Sequence, residues 1–372
     1  MNKVALIHCQ QYEREAVQKA VDAIFDQCGG IQAFIKPRMR VLIKLNLLMK
    51  RTPDKATTTH PEVARAVALA VMRGGGIPVF ADSPGGPYTQ RMLSGVYEIC
   101  GISTVAAEIG CALNDDFTTT TRYYEDGHVA KHLDLIGLID HVDAVITVGK
   151  LKTHGLTTMT GCVKNLYGLV PGTKKVEYHA RYQDVRLFSQ MLVDICGCVK
   201  PCFAILDAVI GMEGEGPSGG EPRVIGALLG GCDAHQVDEA GARLIGLMAE
   251  QVTTLAAAKK RGVLKPYVMT GDPPEPLILH DFCIPMKLRR TNWLHAVNHM
   301  PQVLRPRPVF RCLQCDGCGT CMRACPAGAI TLDESRCPHV DLKKCIRCFC
   351  CQELCPKTDI EVWRPFVFHW MK

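Results

Sequence analysis

The run Val142-Asp-Ala-Val-Ile-Thr-Val148, continuing as Gly149-Lys150-Leu-Lys152-Thr153-His154-Gly155 and on to Thr160-Gly161-Cys162-Val163-Lys164-Asn165, decides the fold of most of this chain. Its first seven residues are mainly apolar and do not alternate with polar ones. That is the pattern of a strand covered on both faces, and so of a parallel sheet. Glycine, threonine and lysine dominate the segment beyond Val148. Ligands of an open parallel sheet bind outside the carboxyl ends of its strands, so residues 149–165 become a candidate site.

The same pattern repeats on either side. Continuous apolar runs lie at 4–8, 41–45, 77–81 and 203–206, with helical periodicity at 13–27, 61–72 and 183–195. Thr59 and His60 precede Pro61, a sound helix start, and Gly74-Gly75-Gly76 ends that helix. Together these predict an α/β domain over 1–262, a mostly parallel sheet with helices on both faces. One more helix is expected at 251–264. Residues 266–311 hold eight prolines and five arginines with little periodicity. A linker over 263–310 is predicted there, lying over the first domain through Trp293, Leu294 and Val297.

Each predicted strand ends in polar residues. Lys44 and Asn46 close the second, with Thr57-Thr58-Thr59-His60 beyond; Asp82-Ser83-Pro84-Gly85-Gly86 closes the third; Asp207 and then Glu213 follow the last. A single loop lysine is ordinarily solvated, and His60 or Asp207 alone reads as a cap or turn residue. Convergence on one rim is what makes them a site. Lys150, Lys152, Lys164 and His154 would hold an anion, while Asp82, Asp207 and Glu213 supply opposing charge and could bridge a divalent cation. The catalytic candidates are His154, His60 and Lys152, the histidines relaying protons. The ligand-binding candidates are Lys44, Asn46, Asp82, Ser83, Lys150, Lys164, Asn165 and Glu213. His179 and Arg181 read as helix-surface residues, and Cys196, Cys198 and Cys202 as core packing. Neither the phosphate loop of P-loop NTPases nor a GxGxxG turn is present, so ATP and NAD have no motif here.

The chain has 372 residues, too many for one compact core, and a formal charge of +6 that is too diffuse for nucleic acid. No apolar run approaches the length of a membrane span, and the N-terminus lacks a secretory pattern. Cysteine is the outlier: of 21, ten are scattered through the first 300 residues and eleven crowd between Cys312 and Cys355. In a chain without a secretory signal this points to reduced thiolates that bind metal, and to the cytoplasm.

Those cysteines form Cys315-x2-Cys318-x2-Cys321-x3-Cys325-Pro326 and Cys345-x2-Cys348-x2-Cys351-x3-Cys355-Pro356. Two such runs are the bacterial ferredoxin pattern. Structural zinc has no use for a duplicated run of four with a trailing proline. The resemblance to two-cluster ferredoxins implies a small α+β domain over 311–362, followed by a tail at 363–372. It also implies two 4Fe–4S clusters, one on Cys315, Cys318, Cys321 and Cys355, the other on Cys345, Cys348, Cys351 and Cys325. Cys312, Cys337 and Cys350 are left over and read as spectators.

The larger domain also resembles a family. Lys44-Leu-Asn46, Thr59-His60-Pro61, Asp82-Ser83-Pro84-Gly85, Lys150-Leu-Lys152-Thr153-His154-Gly155, Thr160-Gly161-Cys-Val-Lys164-Asn165 and Asp207-Ala-Val-Ile-Gly211-Met-Glu213-Gly214 are similar to the domain of unknown function 362 family, whose members are often fused to a ferredoxin tail. The resemblance implies an iron–sulfur protein without settling its activity. Two functions are expected. In one, an oxidoreductase delivers electrons to a small anionic substrate at the rim, drawing on an electron donor or acceptor protein. In the other, a ferredoxin-like carrier uses its α/β domain to dock a redox enzyme, helped by Arg289, Arg290, Arg305 and Arg307.

Overall fold

The structure, a computed structural model, describes residues 2–284 and 305–363. Trp293, Leu294, Val297, Arg289, Arg290 and the tail from 364 lie outside the described residues. In chain order the large domain contains β1 (Asn2–His8), α1 (Arg14–Gln27), β2 (Arg40–Leu45), α2 (Pro61–Arg73), β3 (Ile77–Ala81), α3 (Gln90–Ile99), α4 (Ile102–Ile109), β4 (Ala112–Leu113), β5 (Thr119–Tyr123), β6 (His132–Ile136), β7 (Ala144–His154) and β8 (Thr158–Thr160). It continues with α5 (Cys162–Asn165), α6 (Lys174–Arg181), α7 (Val185–Val199), β9 (Phe203–Glu213), β10 (Glu221–Gly231), α8 (Ala234–Leu244), α9 (Thr253–Lys260) and β11 (Tyr267–Gly271).

The main sheet is nine-stranded among the described residues, in the order β11-β1-β10-β9-β7-β2-β3-β4, with β8 paired to β7. The strands from β9 to β4 run parallel, as predicted. β10 is antiparallel to both neighbours. Side chains alternate between two cores: Leu42, Ala204 and Leu206 pack with α7 and α8, whereas Val41, Ile43, Phe203 and Ile205 pack with α1 and α2. Both faces are therefore covered, which is why the strand sequences do not alternate.

Composition concealed β11. Residues 267–271 fall inside the expected linker, yet they extend the sheet in parallel with β1, and Leu277 and Phe282 beyond them are buried. β12 (Arg307–Phe310) pairs with β15 (Ile360–Trp363), and β13 (Ile330–Leu332) with β14 (Pro338–Val340). These two ribbons and the short helices Thr320–Arg323 and Cys350–Glu353 make up the cysteine-rich domain. Among the described residues no single helix is long and apolar enough to cross a membrane.

Candidate functional site

Two strands overshoot their predicted ends. β7 and β9 each run eleven residues, so Lys150, Lys152, His154 and Asp207 stand on buried strands, not on solvated loops. Charge stays inside the sheet here because it is matched across it: Lys150 lies in register with Asp207.

That match closes one half of the rim. Lys150 Nζ donates to Asp207 Oδ2 at 2.9 Å and to Tyr12 Oη at 2.6 Å, and Tyr12 Oη donates to Asp207 Oδ1 at 2.8 Å. The Asp207 carboxylate also accepts the His60 backbone N–H at 3.0 Å. The His60 ring stacks on Tyr12 with centroids 3.6 Å apart, and its Nδ1 accepts the Glu62 N–H, capping α2. Burial lowers the His60 pKa to about 4. The sequence predicts a single rim shared by all these residues; instead buried Lys150 and half-buried His60 belong to this network and are not among the residues lining the open half.

The other half opens into a cleft whose charged lining, among the described residues, is Lys44, Lys152, Lys164 and Lys175 against two carboxylates, Asp82 and Glu353. Lys44 Nζ lies 2.8 Å from Asp82 Oδ1 and donates to Asn165 Oδ1 at 3.0 Å. Asn165 in turn donates from Nδ2 to the Lys44 carbonyl and to Thr147 Oγ1. A side chain at Gly168 would strike both Asp82 and Lys44, so glycine is required there. Ser83 fixes the far wall: its Oγ accepts the Gly172 N–H at 2.8 Å and its carbonyl accepts Lys175 Nζ at 2.6 Å. Lys152 Nζ donates to Asn46 Oδ1 at 3.1 Å and to the Thr57 carbonyl at 2.6 Å, with no carboxylate among these partners. Burial, reinforced by Lys164, lowers Lys152 to about 7. Burial, opposed by Asp82, also brings Lys175 to about 7. Burying several ammonium groups with few counter-charges is costly unless an anion joins them.

The fourth wall comes from the cysteine-rich domain. Its helix Cys350–Glu353 lays Cys350, Glu353 and Leu354 along the cleft. Ser218 Oγ donates to the Glu353 carbonyl at 2.8 Å, and Gln352 Nε2 to the Glu215 carbonyl at 3.2 Å. Leu354 occupies the space that a side chain at Gly85 would fill. Burial would raise the Glu353 carboxyl, but Lys164 and the neighbouring His154 and His179 outweigh it and hold the group well below the usual range. His154 stands behind it: Nδ1 accepts the Leu156 and Thr157 N–H groups, which leaves the ring proton on Nε2, 3.8 Å from Glu353 Oε1. Burial and Lys164 lower His154 to about 4, so the ring is neutral.

Each cysteine run lines its own small cavity, with one ligand exchanged. Cys315, Cys318, Cys321 and Cys355 surround the first, and Cys325, Cys345, Cys348 and Cys351 the second. The two runs share one backbone course. Gly317 and Gly319 have φ of 64° and 70°, and Arg347 and Phe349 repeat this at 57° and 60°. A side chain at such φ is uncommon, so the same tight turn, carrying three of a cavity's four cysteines, is built into both runs. Four thiolates about a closed space fit an iron–sulfur cluster.

Of the predicted rim residues, Lys44, Asn46, Asp82, Ser83, Lys152, Lys164 and Asn165 meet at the cleft. Glu213 does not: it accepts the Cys283 N–H at 2.9 Å and so pins a later segment. The divalent cation expected at the rim finds no seat, because Asp82 and Asp207 lie in different halves, each against a lysine. Sequence reading missed Lys175, Tyr167 and Glu353. It also left His179 on a helix surface, whereas the ring is buried, lines the cleft and stacks on Phe188. Cys312 and Cys337 are not spectators but a disulfide, with Cα atoms 6.1 Å apart. Cys350 lines the cleft.

The fold and the paired cysteine cavities define an α/β protein with an iron–sulfur electron-transfer domain. A 4Fe-4S dicluster domain model matches residues 314–358, and the model described as "Domain of unknown function (DUF362)" matches residues 41–243. The chain belongs to the DUF362 family. It is 31% identical over 307 residues, 82% of this chain and 90% of the other, to the "Thylakoid-associated protein sll1697" of Synechocystis sp.. Over 54 residues, 14% of this chain and 17% of the other, it is 39% identical to the "Isethionate sulfite-lyase activating enzyme" of Desulfovibrio desulfuricans. Among solved structures, the lactate racemase apoprotein of Thermoanaerobacterium thermosaccharolyticum superposes with a TM-score of 0.41 at 12% identity, over 67% of this chain and 57% of that one.

Proposed function

We propose that this protein is an iron–sulfur oxidoreductase that reduces a small anionic molecule held in the cleft between the sheet rim and the helix Cys350–Glu353. One observation carries the reading: Cys350 lines the cleft while Cys351, the next residue, lines the second four-cysteine cavity. Loaded with a 4Fe–4S cluster in each cavity, the C-terminal domain supplies single electrons. The residues of the cleft do the rest. Lys152, Lys164 and Lys175 hold the anion; Lys152 is buried and the other two are half-buried, which limits screening by water. Lys152 and Lys175, both near 7, can each give up a proton at neutral pH. Neutral His154 and ionised Glu353 face one another at the cluster-side wall, 3.8 Å apart.

Electron entry fits the opposite end. Leu313, beside the first run, is 84% exposed, and Met322 is exposed as well. An apolar surface next to the first cysteine cavity suits a redox partner protein. The carrier alternative, in which the α/β domain docks another redox enzyme, is less favoured because the chain's own Glu353 and Leu354 already meet the α/β domain at its rim.

Anaerobic protein reduced with dithionite, mixed with a panel of carboxylates and phosphate esters, tests this. The expected result is that one class binds by calorimetry and bleaches the reduced-cluster paramagnetic signal, and that Lys152→Met weakens the binding about tenfold and slows the bleaching. Binding unaffected by Lys152→Met, or no oxidant in the panel, would refute it.

A further inference from the structure

The β13–β14 hairpin carries side chains that electron transfer leaves unused. Asp333 follows β13, Cys337 precedes β14 and His339 lies on β14; their ligand atoms all fall within 4.8 Å of one another. Cys312, from the turn after β12, brings a second sulfur against Cys337. We infer that this corner is a redox-gated zinc site: oxidised, Cys312 and Cys337 form the disulfide; reduced, they join His339 and Asp333 as a four-donor set for zinc.

The donor chemistry fits. Two thiolates, an imidazole and a carboxylate are donors zinc accepts in a tetrahedral site, and the sulfur pair favours zinc over harder divalent cations. The frame is tied down without any metal. Cys337 N–H donates to Asp333 Oδ1 at 2.9 Å, Asp333 N–H to the Cys337 carbonyl at 3.0 Å and Arg336 N–H to the Asp333 carbonyl at 2.9 Å. His339 Nε2 lies 2.7 Å from Asp333 Oδ2, so imidazole and carboxylate already face each other. Cys312 and Arg336 hold left-handed φ of 56° and 64°, conformations uncommon outside glycine, at the two points that steer the sulfurs together. The His339 side chain is 64% exposed, which leaves an entry path.

The chemistry balances. A dithiol reductant gives two electrons and two protons and becomes a disulfide itself; a phosphine gives the two electrons and becomes its oxide, with water supplying the oxygen and the two protons; either converts the Cys312–Cys337 disulfide to two thiols. Zinc capture then releases those two protons to solvent, because the ligands are thiolates. The pair is also well placed to report to the electron-transfer domain. Leu332 and Pro338, the neighbours of Asp333 and Cys337, line the first four-cysteine cavity.

The test uses the full chain with its clusters in place, dialysed anaerobically against zinc chloride either after phosphine reduction or as the disulfide form, with zinc and iron counted by plasma mass spectrometry. Reduced protein is expected to take up roughly one zinc per chain with iron unchanged, and disulfide protein none. His339→Ala, a change at an exposed site, and Cys312→Ser should both lose that zinc, while Cys232→Ser keeps it. Equal zinc in both redox states, none in either, uptake surviving His339→Ala, or zinc gained as iron is lost would each overturn the inference.

Discussion

Lys150 and Lys152 stand two residues apart on one strand, both wholly buried, and do opposite things. Lys150 meets Asp207 directly across the sheet, and Tyr12 and a backbone N–H complete a closed network. Lys152 finds only an amide oxygen and a carbonyl, and faces a cleft that other lysines share. A buried cation with its own carboxylate belongs to the architecture. One without is, on the function proposed above, the anion's partner.

The contrast is most sharply tested by removing each lysine in turn. Lys150→Met leaves the buried Asp207 uncompensated and should cost about 3–5 kcal/mol of stability, read as a lowered denaturation midpoint with little change in anion affinity among molecules still folded. Gly85→Val moves the test to the cleft's other builder: by evicting Leu354 it should weaken anion binding more than tenfold while iron content stays intact. Lys152→Met should leave the midpoint within about 1 kcal/mol, because an apolar chain replaces a desolvated ammonium group, yet weaken anion binding about tenfold, or 1.4 kcal/mol.

The pH dependence separates the halves again. Lys152 near 7 is charged below neutrality and neutral above it, so anion affinity should fall about tenfold between pH 6 and 8, and less steeply in Lys152→Met. The smallest effect belongs to the closed half: His60→Ala loses an N-cap acceptor for about 1 kcal/mol and should leave anion affinity and its pH profile unchanged. A His60 variant that lost turnover without losing stability would break the division.

Much of this was legible. Apolar runs without alternation specify the parallel strands, and Lys44, Asp82 and Asn165 meet because each closes or follows one of them. Strand length was not legible past Val148, since glycine and lysine read as loop until Asp207 is known to lie opposite Lys150. Arg347 and Phe349 gave no sign of left-handed backbone, which only their alignment with Gly317 and Gly319 discloses. Lys175 and Glu353 were invisible for another reason: their roles arise from contacts between segments far apart in the chain, and neither has a local pattern to betray it.

The helix Cys350–Glu353 has a consequence for how such a protein can evolve. Residues 350 and 353 of the helix and Leu354 just after it shape the cleft, while Cys351 and the following Cys355 bear sulfurs of the two cysteine cavities. A substitution that refitted this wall to a new molecule would also disturb the metal-bearing frame beside it. Inherited variation in specificity should therefore accumulate on the facing wall, at Ser83, Val176 and His179, and leave the helix unchanged.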